Sequence, residues 1–181
     1  MHPEILSIAL FWFVTAYTPG PNNVVASYSG FNFGITKTIP HILGVTLGFT
    51  SLVIFLTIGL INVFKLFPII QISIKYLGTL FLIYLAYKIA SSTSSNEVQK
   101  ENPVKFLETF LFQYLNPKGV MVAIIVVSTY VELGENYINY ATQVVLLAFL
   151  FSATSITLWT FIGKFLRKFA TNDKFIKYFN Y

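Results

Sequence analysis

Apolar residues along this chain gather into five runs, separated by proline, serine and charge. They are Ile5–Tyr28, Ile39–Phe64, Pro68–Ala90, Phe106–Val131 and Tyr137–Gly163. Crossing a hydrocarbon core takes about 20 residues of helix, and each run is long enough. The bilayer offers the backbone no water to bond, so each run is expected to be helical. The short alternating segments of a transmembrane barrel are absent from the pattern. The predicted class is an all-α, polytopic membrane protein.

The stretch Ser91–Lys105, SSTSSNEVQKENPVK, is the clearly polar linker. It separates a half of three spans (1–90) from a half of two (106–181) within one membrane domain. The tail Lys164–Tyr181 is basic and aromatic, and is expected to lie on the membrane surface.

Composition agrees with lipid as the solvent. Hydrophobic residues make up 55% of the chain and charged residues 10%, against about 25% charged in a soluble domain. A soluble fold of this size would still expose roughly 30% of its unfolded-chain surface. Cysteine is absent, which removes disulfides and thiolate metal sites. The net charge of +5 does not point to nucleic acid, because the basic residues sit at the ends of apolar runs. With sides assigned by alternation, one side collects Lys37, Lys88, Lys100, Lys105, Lys164, Arg167, Lys168, Lys174 and Lys177. The other has Lys65 and Lys75, with Glu4, Glu132 and Glu135. The basic side is expected to be cytoplasmic, which places the N-terminus outside and residue 181 inside. The first run has no positive n-region ahead of it and is read as an uncleaved span.

Two spans are interrupted. The first contains Thr18-Pro19-Gly20-Pro21-Asn22-Asn23, and the fourth contains Asn116-Pro117-Lys118-Gly119. Proline removes an N–H donor and clashes with the preceding turn. Backbone groups freed at membrane depth must face protein or a water-filled cavity. Transporters use such breaks to present backbone groups to a solute near the midplane. Lys118 lies about 18 Å into its run at 1.5 Å per residue, too deep for easy snorkelling. An ionisable residue there marks a functional site by default, although bonding to carbonyls freed by Pro21 or Pro117 would give it a structural role.

The breaks occupy equivalent places in the two halves. Aligning Pro19 with Pro117 also sets Ile8 opposite Phe106 and Phe13 opposite Leu111. Three spans in the first half turn its repeat over in the membrane, so the halves are expected to be inverted repeats. Lys75-Tyr76-Leu77-Gly78 at the start of span three is echoed by Lys177-Tyr178-Phe179-Asn180. The expectation is five helices of a six-helix design, stopping before the last.

Elsewhere, Gly44 and Gly48 form a GxxxG pattern suited to close helix packing. His41 reads as a satisfied polar residue and Glu108 as a solvated one. Gln113 lies one turn before Asn116, on nearly the same face. Tyr76, Tyr84 and Tyr87 suit interface anchoring. The sequence carries no HExxH, GxSxG, P-loop or paired intramembrane aspartates, so neither an enzyme nor a cofactor is expected.

TPGPNN at Thr18–Asn23, LNPKG at Leu115–Gly119 and KYLGTLFLIYLAYK at Lys75–Lys88 resemble the LysE/RhtB family of amino-acid exporters. The resemblance runs the length of the chain. It implies six helices in two inverted repeats in a bacterial inner membrane, and proton-driven efflux of amino acids or derivatives. It carries substrate-site roles onto Pro19, Gly20, Pro21, Asn22, Asn116, Pro117 and Lys118, and onto Gln113, where many members have asparagine. Many members have aspartate where this chain has Asn22, so the resemblance names no proton-coupling residue here.

The mechanism expected is alternating access. Helix N-termini favour an anion and would hold a substrate carboxylate, with Lys118 adding charge. Asn22 and Asn116 would accept from the substrate ammonium. Export of a metal cation is disfavoured, because hard cations want oxygen anions. A non-transporting or partner-dependent remnant is the rival from another class, and a homodimer would cover the surface left by a missing helix.

Overall fold

The computed structural model describes residues 2–60, 104–132 and 134–170, with scattered positions between 66 and 87. Those residues form α1 (Ile5–Tyr17), α2 (Pro21–Phe55) with a π-helical turn at Leu56–Leu60, α3 (Phe106–Leu115), α4 (Pro117–Tyr130) and α5 (Tyr137–Ala170). No strand occurs among the described residues.

Proline stereochemistry sets both breaks. Pro21 opens α2 and Pro117 opens α4, each at the first helical position, where a missing N–H costs nothing. A residue before proline is pushed out of the helical region. Gly20 is extended (φ −163°, ψ 176°) and Asn116 has ψ 104°. The first break takes Thr18–Gly20, whereas the second takes Asn116 alone and bends the chain by 61°. The proline that matches Pro117 in role is therefore Pro21, two residues from the pairing with Pro19 expected from sequence.

Gly34 breaks α2 at φ 77°, a left-handed conformation that glycine adopts without a Cβ penalty. Ser29 Oγ and Thr38 Oγ1, nine residues apart, approach to 2.8 Å. A straight helix would hold them about 13 Å apart, so the chain doubles back at Gly34. The two limbs of α2, 21–33 and 35–55, belong to the expected first and second spans.

Two stretches, Pro21–Gly59 and Tyr137–Phe169, are helical, long and apolar enough to cross a membrane. The bent pair α3–α4 makes a third if counted as one span. Leucine and isoleucine at exposed positions such as Leu10, Leu43, Ile125, Leu150 and Leu158 suit a lipid surround. Helix α5 runs on to Ala170, so residues 164–170 continue that helix rather than starting a surface tail. The linker 91–103, residues 171–181 and Tyr84 lie outside the described residues, as does most of Pro68–Ala90. The described apolar positions Ile69, Ile72, Tyr76, Leu80, Ile83 and Tyr87 fall three or four apart, helical and exposed.

Each broken span packs along a helix of the other half. Helix α5 runs parallel to α1 and the first limb of α2. Phe13 meets Phe151, Ser155 Oγ donates to the Ala16 carbonyl at 2.7 Å, and Ser27 Oγ donates to the Trp159 carbonyl at 3.0 Å. Arg167 Nη1 reaches the Asn32 carbonyl at 3.3 Å. The second limb of α2 runs parallel to α3. His41 meets Thr109, Gly48 meets Phe110 and Gln113, and Ser51 meets Tyr114. Small residues allow both approaches. A Cβ on Gly30 would overlap the Thr160 carbonyl, and one on Gly163 the Ser27 carbonyl. Gly44 and Gly48 lie against the α3 backbone at Phe106 and Phe110, so the GxxxG pattern serves packing.

His2 ties down one end of the bundle. The Glu4 amide donates to its Nδ1 at 2.9 Å, which leaves Nε2 to donate to the Tyr130 carbonyl at 3.0 Å. The His2 amide donates to Gln143 Oε1 at 2.9 Å. Tyr137 also donates to the Thr57 carbonyl at this end. Glu4, Glu132 and Glu135 gather here, while Lys37, Lys105, Lys164, Arg167 and Lys168 gather at the opposite end. The larger core cluster, with Ile8, Trp12, Leu52, Val126 and Ala148, lies toward the acidic end. A smaller one, Ala26, Val45 and Ile156, lies toward the basic end.

Candidate functional site at the helix breaks

Between the two clusters is a pocket with about 570 Å³ of empty space, its open mouth included. Both breaks reach it. Gly20, Pro21, Asn22, Asn116 and Lys118 line it, with Trp12, Asn23, Phe49, Gly119, Phe151, Ser152 and Ser155. Pro19, Gln113 and Pro117, expected at the site, are not in its wall.

Two helix N-termini converge here. Neither α2 nor α4 has a side-chain cap, so the first-turn amides of both keep unmet donors. Their dipoles add positive potential. The Lys118 ammonium donates to the Thr18 carbonyl at 2.8 Å and reaches the Pro19 carbonyl at 3.5 Å. It thus bonds carbonyls of the first break, the structural option open in the sequence, while its side chain lines the pocket. Gly20 makes room for it: a Cβ there would stand 3.1 Å from Lys118 Cδ and Nζ.

Asn22 and Gln113 form a reciprocal amide pair. Asn22 Nδ2 donates to Gln113 Oε1 at 2.8 Å, and Gln113 Nε2 donates to Asn22 Oδ1 at 3.1 Å. Gln113 also donates to the Thr109 carbonyl at 2.9 Å and is fully enclosed. Its part is to fix Asn22, whose carbonyl oxygen is already occupied. A double-mutant cycle over Asn22→Ala and Gln113→Ala, read by thermal unfolding in detergent, should give a coupling of about 1–2 kcal/mol. Additive losses would show the pair to be without energetic consequence.

Asn116 keeps a free acceptor: its Oδ1 is buried without a hydrogen-bond partner. Trp12 Nε1 is a buried donor in the same condition, on a ring that lines the pocket. Sequence reasoning missed Trp12, Asn23, Ser152 and Ser155. Trp12, Ser152 and Ser155 sit within apolar runs where periodicity does not separate pocket from lipid. Asn23 stands in the first break itself and donates to the Ala16 and Thr18 carbonyls at 3.0 and 2.9 Å, closing the end of α1.

A pocket with convergent N–H groups, an ammonium and one free carbonyl acceptor matches a small molecule carrying an anionic and a cationic group. A family model described as LysE type translocator matches residues 13–180, across both breaks. The chain belongs to this family. It is a membrane translocator and not an enzyme. The cysteine/O-acetylserine efflux protein of Salmonella choleraesuis (strain SC-B67) is 30% identical over 171 residues, covering 93% of this chain and 87% of the relative. The protein of the same description from Escherichia coli O1:K1 / APEC is 26% identical over 172 residues, with the same coverage of each. No solved structure gives a significant match. The translocator's pocket thus lies where its two helix breaks meet.

Proposed function

We propose that this translocator exports small amino acids such as cysteine and O-acetylserine across a bacterial inner membrane, in exchange for protons. The observation that carries this reading is the convergence of two uncapped helix N-termini and Lys118 on one pocket. The N-termini suit the substrate carboxylate, and the free Oδ1 of Asn116 suits its ammonium. The efflux proteins named above supply the substrate class.

The halves act as inverted repeats. The antiparallel course of α1 and α4 supports this: His2, just before α1, bonds Tyr130 at the end of α4, and Thr18, just after α1, bonds Lys118 at its start. So does the exchange of partners, in which each broken span lies along a helix of the other half. Six helices complete the design. Rocking of one half against the other opens the pocket to each side in turn. The basic end faces the cytoplasm, by the excess of lysine and arginine there.

The test is efflux of labelled L-cysteine and O-acetyl-L-serine from preloaded cells that express the chain, with Asn116→Ala as the comparison. Faster efflux, lost in the variant, is expected. Efflux no faster than from cells without the protein would end this reading.

A further inference from the structure

His41 is 2% exposed and lies in the second limb of α2, one turn beyond Lys37. Its Nδ1 is 3.2 Å from Thr109 Oγ1. That hydroxyl donates to the Lys105 carbonyl at 3.0 Å. A hydroxyl has one proton, so toward the ring Oγ1 accepts and Nδ1 carries the hydrogen, a tautomer inferred from the network. The neutral ring then holds a bare lone pair at Nε2. That atom is buried and has no hydrogen-bond partner.

An unpaired polar atom in a closed interior is costly. Here the orphan is a vacant proton seat on a ring linked through Thr109 and Gln113 to Asn22 of the pocket. Asn22 lies in the first turn of α2, lines the pocket and is tied by its side chain to Gln113. Gln113 in turn donates to the Thr109 carbonyl, on the residue that orients the ring. A proton gained at His41 is therefore felt at the same helix N-terminus that would hold a substrate carboxylate.

We propose that His41 carries the coupling proton, taken up from outside and released to the cytoplasm as substrate moves out. This rests on the proton-exchange reading above and names its residue. Charged groups on the packed elements leave the ring to this task. Lys37 on its own limb is exposed, as are Lys105 and Glu108 on α3 and Lys164, Arg167 and Lys168 on α5. Glu108 accepts from the Lys105 amide, and Lys118 on α4 is bonded to the first break. The first limb of α2 has no charged residue. His41 does not line the pocket, so its replacement should spare binding.

The test uses the full chain in proteoliposomes with labelled O-acetyl-L-serine. Two quantities are read: exchange at equal pH, and accumulation driven by a pH gradient. One proton per substrate supports about tenfold accumulation per pH unit. The expected result is that His41→Gln keeps exchange but shows no accumulation. Gradient-driven accumulation in His41→Gln equal to wild type would overturn the role of His41 and leave proton exchange standing. Exchange without any pH response in the wild-type chain would overturn proton coupling itself, and this inference with it. Should His41→Gln fail to insert, Thr109→Ala decides. It keeps the imidazole but removes the Nδ1 acceptor, and must shift the pH at which exchange is half-maximal. An unchanged pH profile there overturns the proposal.

Discussion

Replacing Lys118 with alanine should reduce efflux of labelled cysteine by about 10- to 150-fold. The estimate follows from losing a hydrogen bond made by a charged group, about 1.5–3 kcal/mol, at roughly 1.4 kcal/mol per factor of ten. The ammonium bonds the Thr18 carbonyl and lies over Gly20. Its loss removes positive charge from the pocket and unties the fourth span from the first break. Insertion should not suffer, because lysine at membrane depth opposes it by about 2.5–3.5 kcal/mol. Initial efflux rates, normalised to the amount of protein in the membrane, separate the two effects. Arginine should not rescue, since the close approach over Gly20 leaves little room for a planar guanidinium. Efflux at the wild-type rate from Lys118→Ala would remove Lys118 from the transport machinery.

Gly163→Leu should prevent a stable fold rather than impair transport selectively. Any side chain at Gly163 would occupy the position of the Ser27 carbonyl. Backbone atoms cannot rotate away as a side chain can, so the first limb of α2 and α5 would have to separate. Overpacking of a close interface costs about 1–3 kcal/mol and occasionally more, and here it strikes the most extensive helix contact described. Loss of the monodisperse peak on size-exclusion chromatography in detergent is the expected outcome. Leu158→Ala, on the exposed side of the same helix, should leave the peak intact. A normal peak from Gly163→Leu would mean that the two helices are not so closely apposed.

Much of this was legible because proline and glycine act locally. The breaks at Thr18–Gly20 and Asn116 follow from chemistry confined to a few residues. The hairpin at Gly34 falls between two apolar runs, where the sequence pattern leaves a gap. Tertiary choices were not legible. Nothing in the pattern says that Lys118 will turn toward the Thr18 carbonyl, or that Gln113 will face Asn22 rather than the pocket. The hydroxyls of Ser152 and Ser155 are small interruptions in a run that lipid would accept equally well. Trp12 counts as apolar in any periodicity, yet its orphaned N–H is a polar feature of the site. The role of His41 depends on which proton Thr109 gives to which acceptor, and that exists only after folding.

The exchange of partners between the halves also bears on how the protein is made. The Ala16 carbonyl finds its bond to Ser155 only 139 residues later. At 5–20 residues per second, the first broken helix waits about 7–28 s for the helix that covers it. During that interval the Pro19 carbonyl, whose partner Lys118 lies 99 residues on, must be sheltered by the insertion machinery or by water. Biogenesis of this protein is thus a problem of delayed closure, in which the ribosome delivers the early half unfinished and the late half completes it.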